Sequence, residues 1–202
     1  MAIPHEEAAR IEAALRAGQA RSSGQIVCVL ARASSSYEIM PFIWSALIAL
    51  AAPWPLLILT ELSAERIFLA QLAIFLVALG VLSLPALRLR LTPPGVRRAN
   101  AHRAALEQFV LRGVTHCAQR NGILIYVSLA ERYARIVADE GAAKVIGQGQ
   151  WRSIVGKLTN QMKTGATAEA LIGAATDCGD LLALHFPAGE TSAPTSQRLH
   201  IL

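Results

Sequence analysis

The sequence predicts a layered α/β/α domain with a small sheet, interrupted by a two-helix transmembrane hairpin. Three observations carry that prediction. Two uncharged apolar runs stand in tandem at 41–60 and 67–87. Short runs rich in β-branched residues lie on both sides of them, QIVCVLA at 25–31 and GILIYVSL at 122–129. Segments with apolar residues at helical spacing flank those runs near both ends of the chain. Helices packed around a small sheet make a layered α/β domain. Strands from either side of the hairpin must meet to close that sheet.

Composition points the same way. The 202 residues are 53% hydrophobic and only 16% charged, whereas soluble domains carry about a quarter charged residues. Part of the chain therefore belongs in lipid, and the length leaves room for one ordinary domain beside it. Cys28, Cys117 and Cys178 are widely separated and form no CxxC pair. They predict no disulfide framework and suit a reducing compartment. The net charge is +5, and where the arginines lie decides its meaning.

The first element is a helix over 5–20, HEEAARIEAALRAGQA, with Glu6 and Glu7 in its first turn and Ile11 and Leu15 on one face. Ser22, Ser23 and Gly24 end it, and QIVCVLA reads as a buried strand. These residues, 1–34, form the first part of the domain, and the serine run at 34–36 links it to the membrane. The spans PFIWSALIALAAPWPLLILT (41–60) and IFLAQLAIFLVALGVLSLPAL (67–87) each match the roughly 20 residues that cross a hydrocarbon core. ELSAER, 61–66, is the turn between them. Pro41, Pro53, Pro55 and Pro85 are positions where these helices kink or end. Trp44 and Trp54 suit the interfaces.

The first twenty residues have three glutamates and no apolar h-region, so no cleavable signal is expected and the first span acts as its own insertion signal. Arg88, Arg90, Arg97, Arg98 and Arg103 follow the second span without an acid, and Arg21 and Arg32 precede the first. The connecting turn holds Glu61, Glu65 and one arginine, Arg66. The positive-inside rule then places both termini in the cytoplasm. The arginine cluster lies at the lipid surface and has no interleaved aromatics, so it predicts headgroup contact and no nucleic-acid role.

The second part of the domain spans 99–188. Pro93, Pro94 and Gly95 mark its boundary, and 99–119 reads as a helix with Ala105 and Phe109 on one face and His116 or Cys117 near it. GILIYVSL (122–129) and RYARIVAD (132–139) form a hairpin about Ala130 and Glu131. The first of these strands is apolar almost throughout, as in a sheet centre, and the more mixed second lies further out. Trp151, Ile154, Val155, Leu158 and Met162 mark one helix, and Ala168, Leu171, Ile172, Ala175, Gly179, Leu182 and Phe186 a second. Pro187 and Gly189 stop the last helix, leaving 189–202 as a flexible tail.

The stretch RNGILIYVSLAERYARIVADEG (120–141), then QWRSIVGKL, then LLALHFPAG, resembles the membrane branch of the TPM domain family. The resemblance covers about 5–34 and 99–188. It implies a layered α/β sandwich. Members of the family have been associated with phosphatase activity, with divalent-cation binding and with assembly or repair of membrane complexes. The common form has an uninterrupted domain with a glycine-rich segment after the third strand, where this chain has ADEGAA.

The candidate site residues are acids. Asp139 and Glu140 stand between a strand and a helix, where an acid caps exposed amides. The functional alternative is a calcium or magnesium site built from Asp139, Glu140 and Glu131, with Asp177 or Asp180 as further oxygen donors. Ser128 has no visible base, so it is not expected to be a nucleophile. His116 and Cys117 are adjacent and point in different directions, which excludes zinc from that pair. Arg32 follows Cys28 too closely for a cysteine-phosphatase loop, and there is no DxD pair, GxGxxG or P-loop. The expected function is a non-catalytic binding or assembly module at a bacterial inner membrane. Its partners would be the lipid bilayer and other membrane proteins or a second copy. The alternative is a divalent-metal-dependent phosphatase-like hydrolase.

Overall fold

The computed structural model describes residues 4–35, 37, 39–61, 63–114, 119–188 and 198–202. The chain divides into two compact units, residues 1–34 with 98–202, and residues 35–97.

The first unit is mixed α/β. Helix α1 (His5–Ala20) leads into strand β1 (Ile26–Ala31). Strand β1 pairs in parallel with β2 (Ile123–Ser128), from Ile26 opposite Ile123 to Ala31 opposite Ser128. Parallel neighbours need a crossover connection. In this chain that connection carries the apolar hairpin and helix α6 (Pro94–Leu111). Strand β2 turns back into β3 (Tyr133–Ala138), which pairs with it antiparallel. The sheet order among the described residues is β3-β2-β1-β4, where β4 is Leu199–Ile201.

Every residue of β1 and β2 is buried, which is why both read as unbroken apolar runs. Ile26, Cys28, Leu30, Ile123, Ile125 and Val127 face one core. Helices α1, α8 (Gln148–Lys163) and α9 (Thr167–His185) close that core with Ile11, Leu15, Ile154, Leu158, Leu171 and Leu182. Val27, Val29, Leu124 and Tyr126 face the other, against Ala105 and Phe109 of α6. Each fully buried Leu or Ile is worth about 1.5–3 kcal/mol. The order helix layer, sheet, helix layer follows from the alternation of side chains along the two central strands.

In the second unit, α2 (Ile39–Ala51) and α3 (Pro53–Leu59) form one run interrupted at Ala52, where the following Pro53 lacks an N–H. Helix α4 (Ala64–Leu82) packs on α2, with Phe42 and Phe75 edge to face at 5.8 Å and Ser45 and Ala49 buried. Ile39–Leu59 and Ala64–Leu82 are 21 and 19 residues long, each with mean hydropathy 2.0, which is long and apolar enough to cross a membrane. Only 11% and 6% of their apolar windows are buried, unlike the core helices of a soluble domain.

Several boundaries differ from those the sequence predicts. The second apolar helix ends at Leu82, because Ser83 and Leu84 turn and Pro85 opens the short helix α5 (Pro85–Leu91) with Arg88 and Arg90 in its last turn. Half of the ELSAER turn is already helical, since α4 starts at Ala64. Helix α6 starts at Pro94, where a missing N–H costs nothing. It stops at Leu111 because Gly113 adopts φ +64°. His116 and Cys117 lie outside the described residues. The helix expected after Asp139 is α7 (Glu140–Val145), only six residues long. The tail is also corrected: Arg198–Leu202 is not loose. Leu199–Ile201 adds to β1 as a parallel edge strand, with Cys28 N–H donating to Arg198 O at 2.8 Å. The rest of that segment, 189–197, lies outside the described residues.

Candidate functional site

The predicted acids stand at opposite ends of β3. Asp139 and Glu140 follow its last residue, and Glu131 sits in the turn before its first. Six strand residues lie between them, a separation of about 20 Å at roughly 3.4 Å per residue. Glu131 therefore cannot share an ion with Asp139. Asp177 and Asp180 do not join either end: Asp177 accepts from Lys157 Nζ at 2.9 Å and Asp180 pairs with Arg21 at 2.7 Å. Among the described residues no three His, Cys, Asp or Glu side chains converge.

At the Asp139 end the backbone explains the residues. Asp139 Oδ1 accepts from Glu140 N–H at 2.7 Å and caps α7. Arg120 O takes the next two amides, Gly141 at 2.9 Å and Ala142 at 3.3 Å. Gly141 is required for this approach, since a Cβ there would lie 2.4 Å from Gln119 O. The Arg120 guanidinium spans Asp139 at 3.4 Å and Glu140 at 3.0 Å. Lys144 also pairs with Glu140 at 2.8 Å. Its hydrogen bond and charge, with the charge of Arg120, hold the Glu140 carboxyl below its usual value. Two oxygens are left over. Asp139 Oδ2 and Asn121 Oδ1 are buried without a partner among the described residues.

At the other end Glu131 braces a turn. Its Oε1 accepts from Ser34 N–H at 2.9 Å, and its Oε2 accepts from Ser128 Oγ. Ser34 Oγ meets Tyr126 OH at 3.0 Å, and burial pushes the Tyr126 hydroxyl up in pKa. This network ties the exit of β1 to the β2–β3 turn. Sequence reasoning placed Ser34 in a linker and missed it; the only signal was a serine run directly after an apolar strand.

Along the outer edge of β3 a groove of about 610 Å³ opens between Ala134, Ile136 and Ala138 of the strand and Trp151, Val155 and Thr159 of α8. It is followed at Tyr133 and Thr159 by a second cavity of about 390 Å³ that reaches Arg132 and Lys163.

Residues 96–181, from the start of α6 into α9, match the family model of the TPM domain. The chain carries a TPM domain. No curated protein matches the chain in sequence. Among solved structures, the chain is similar to the NMR structure of the BA42 protein from the psychrophilic bacterium Bizionia argentinensis. The TM-score is 0.59 at 16% identity, covering 97% of this chain and 92% of that one. At that identity the likeness speaks for the fold alone.

Among the described residues, the nucleophile candidates Ser128, Cys28 and Cys178 are shut away from solvent. Ser128 is fully buried, with its hydroxyl already donated to Glu131. Burial raises the Cys28 thiol to about 12, so it is not a thiolate at neutral pH. Cys178 is also buried, and desolvation and the Asp177 charge push its thiol up as well.

Proposed function

We propose that the TPM domain of this chain is a non-catalytic binding or assembly module, held at a bacterial inner membrane by its two apolar helices. Both termini lie on the cytoplasmic side in this proposal, consistent with the arginines that flank the apolar runs. The observation that carries it is the groove beside β3, an open concavity next to a sheet edge. Ser128, Cys28 and Cys178, by contrast, are buried, and Asp139 and Glu131 are engaged in a cap and a turn. The partners are the bilayer and other membrane proteins. Crosslinking in intact membranes tests this: a distinct protein recovered with the chain is the expected result, and recovery of the chain alone refutes it.

The alternative is a divalent-metal-dependent phosphatase-like hydrolase. The unpartnered Asp139 Oδ2 and Asn121 Oδ1 favour it, because such oxygens suit calcium or magnesium. The fit is poor, since Glu131 is remote and Arg120 already neutralises Asp139 and Glu140. Phosphate release from a generic ester that requires magnesium and disappears in Asp139→Asn would support this alternative. Activity that survives the substitution would exclude that site.

A further inference from the structure

The groove beside β3 has the geometry of a docking slot for an extended peptide, and its charge says which kind. β3 is an edge strand of the sheet. The direction of its free hydrogen-bonding groups follows from the ladder. Asp139 N–H donates to Gly122 O at 2.9 Å, so the bonded pairs recur at every second residue: Val137 with Leu124, Arg135 with Tyr126, Tyr133 with Ser128. The residues between them, Ala134, Ile136 and Ala138, turn their N–H and C=O groups outward. The groove runs along the whole of β3, these three residues included. Two of the three are alanine, so no large side chain blocks the edge. α8 lies alongside and gives the slot an apolar floor of Trp151 and Val155.

The rim is basic. Arg132, Arg135, Arg152 and Lys163 line the two cavities, and no acidic side chain does so among the described residues. None of the four basic groups is ion-paired with an acid among the described residues. Arg135 instead contacts His102 Nδ1 at 2.5 Å, Arg152 donates to Gln148 Oε1 at 3.3 Å and Lys163 to Asn160 Oδ1 at 3.3 Å. The Trp151 indole, in a side chain 8% exposed, has no acceptor for its Nε1–H among the described residues.

We propose that this groove binds an extended acidic protein segment as an added strand on β3. Backbone groups of Ala134, Ile136 and Ala138 make the ladder, and Arg132, Arg135, Arg152 and Lys163 select carboxylates. The segment alternates: apolar side chains enter the slot toward Trp151, and acidic ones lie toward the rim. A second copy of the chain is a poor occupant, because its β3 follows Arg132, carries Arg135 and has no acid to meet the basic rim. This proposal rests on the reading of the domain as a binding module and names its site and ligand class.

The test uses the full chain in detergent and a fluorescent decapeptide that alternates valine with glutamate, beside its lysine counterpart. Anisotropy should show the glutamate peptide binding at least about tenfold more tightly than the lysine peptide. The Arg135→Glu/Arg152→Glu pair should weaken it by a similar factor. Ile136→Pro removes an outward N–H without touching the bonds to β2, and should weaken binding by about fivefold. N-methylating the peptide one position at a time should alternate between harmful and harmless, and this series decides the matter even if Ile136→Pro fails to fold.

Glutamate-peptide binding that is indifferent to N-methylation overturns the added strand. Absence of binding, or an oligomer that Ile136→Pro dissociates, overturns the acidic ligand. Membrane crosslinking separates the two failures. Partners recovered equally with wild type and Ile136→Pro leave the binding module standing and remove this site. Absence of partners with either removes both.

Discussion

Helices α1 and α9 touch backbone to backbone, and that contact makes a sharp prediction. A Cβ built on Gly179 would lie 2.6 Å from Gly18 Cα. Carbon atoms in favourable contact sit at about 3.5–4.0 Å, so Gly179→Ala requires the helices to part by nearly an ångström. Gly18 cannot yield alone, because Ile11 and Leu15 of the same helix are fully buried in the core. Overpacking of this kind costs about 1–3 kcal/mol, and a clash with backbone belongs at the upper end. Alanine recovers about 1 kcal/mol of helix propensity. The net expectation is a loss of about 2 kcal/mol. Gly173 lies on the same helix, and a Cβ there would meet nothing nearer than Gln161 Oε1 at 3.7 Å. Gly173→Ala should therefore gain about 0.5–1 kcal/mol.

The assay must report on the α/β unit and ignore the apolar helices. Cys28 and Cys178 are buried to 1% exposure or less. Pulse thiol labelling across a urea series, read by peptide mass at those two positions, follows that unit alone. Gly179→Ala should label at lower urea than wild type, and Gly173→Ala at higher. A Gly179→Ala midpoint equal to or above wild type would refute the close-contact reasoning. So would equal losses in the two variants, which would mean that the helix tolerates no alanine for some other reason.

Two further predictions come from the sheet. Deleting residues 198–202 removes the strand that covers the β1 edge, the buried Leu199 and the 2.6 Å bond from Arg198 Nε to Gln19 Oε1. The expected cost is about 2–3 kcal/mol, together with aggregation through the bared edge; thermal unfolding followed by light scattering checks both. Alkaline pH should also destabilise the fold. The Cys28 thiol titrates near 9.0 when unfolded but is pushed up to about 12 by burial, so above pH 9 the unfolded state binds fewer protons than the folded one. Stability is then full below pH 9 and falls by up to about 1.4 kcal/mol per unit up to about 12. Cys28→Ala should be weaker at pH 7 yet lose less between pH 9 and 10.5, as measured by urea midpoints.

Much of the fold was legible because its signals are local. The apolar runs announce themselves by length and lack of charge. Strands β1 and β2 read as strands because, buried on both faces, they have no polar alternation. The third strand was placed outward by its mixed composition, and it lies at one edge of the sheet. The site was less legible. Asp139 was named with the right alternative, a helix cap, but its grouping with Glu131 fails because adjacency in a hairpin sequence does not reveal that strand length separates the two ends. The Ser34–Glu131–Ser128 brace joins residues nearly a hundred positions apart, which no window of sequence displays.

The amino-acid sequence by itself determined the class of the protein: two apolar helices set into an α/β domain, with burial written in period two and period three to four. Those are properties of each segment and its solvent. Only the tertiary structure decided that the C-terminal residues close one edge of the sheet while the other edge lies beside a basic groove. Strand order and register depend on which distant segments pair, and pairing energy comes from both partners together.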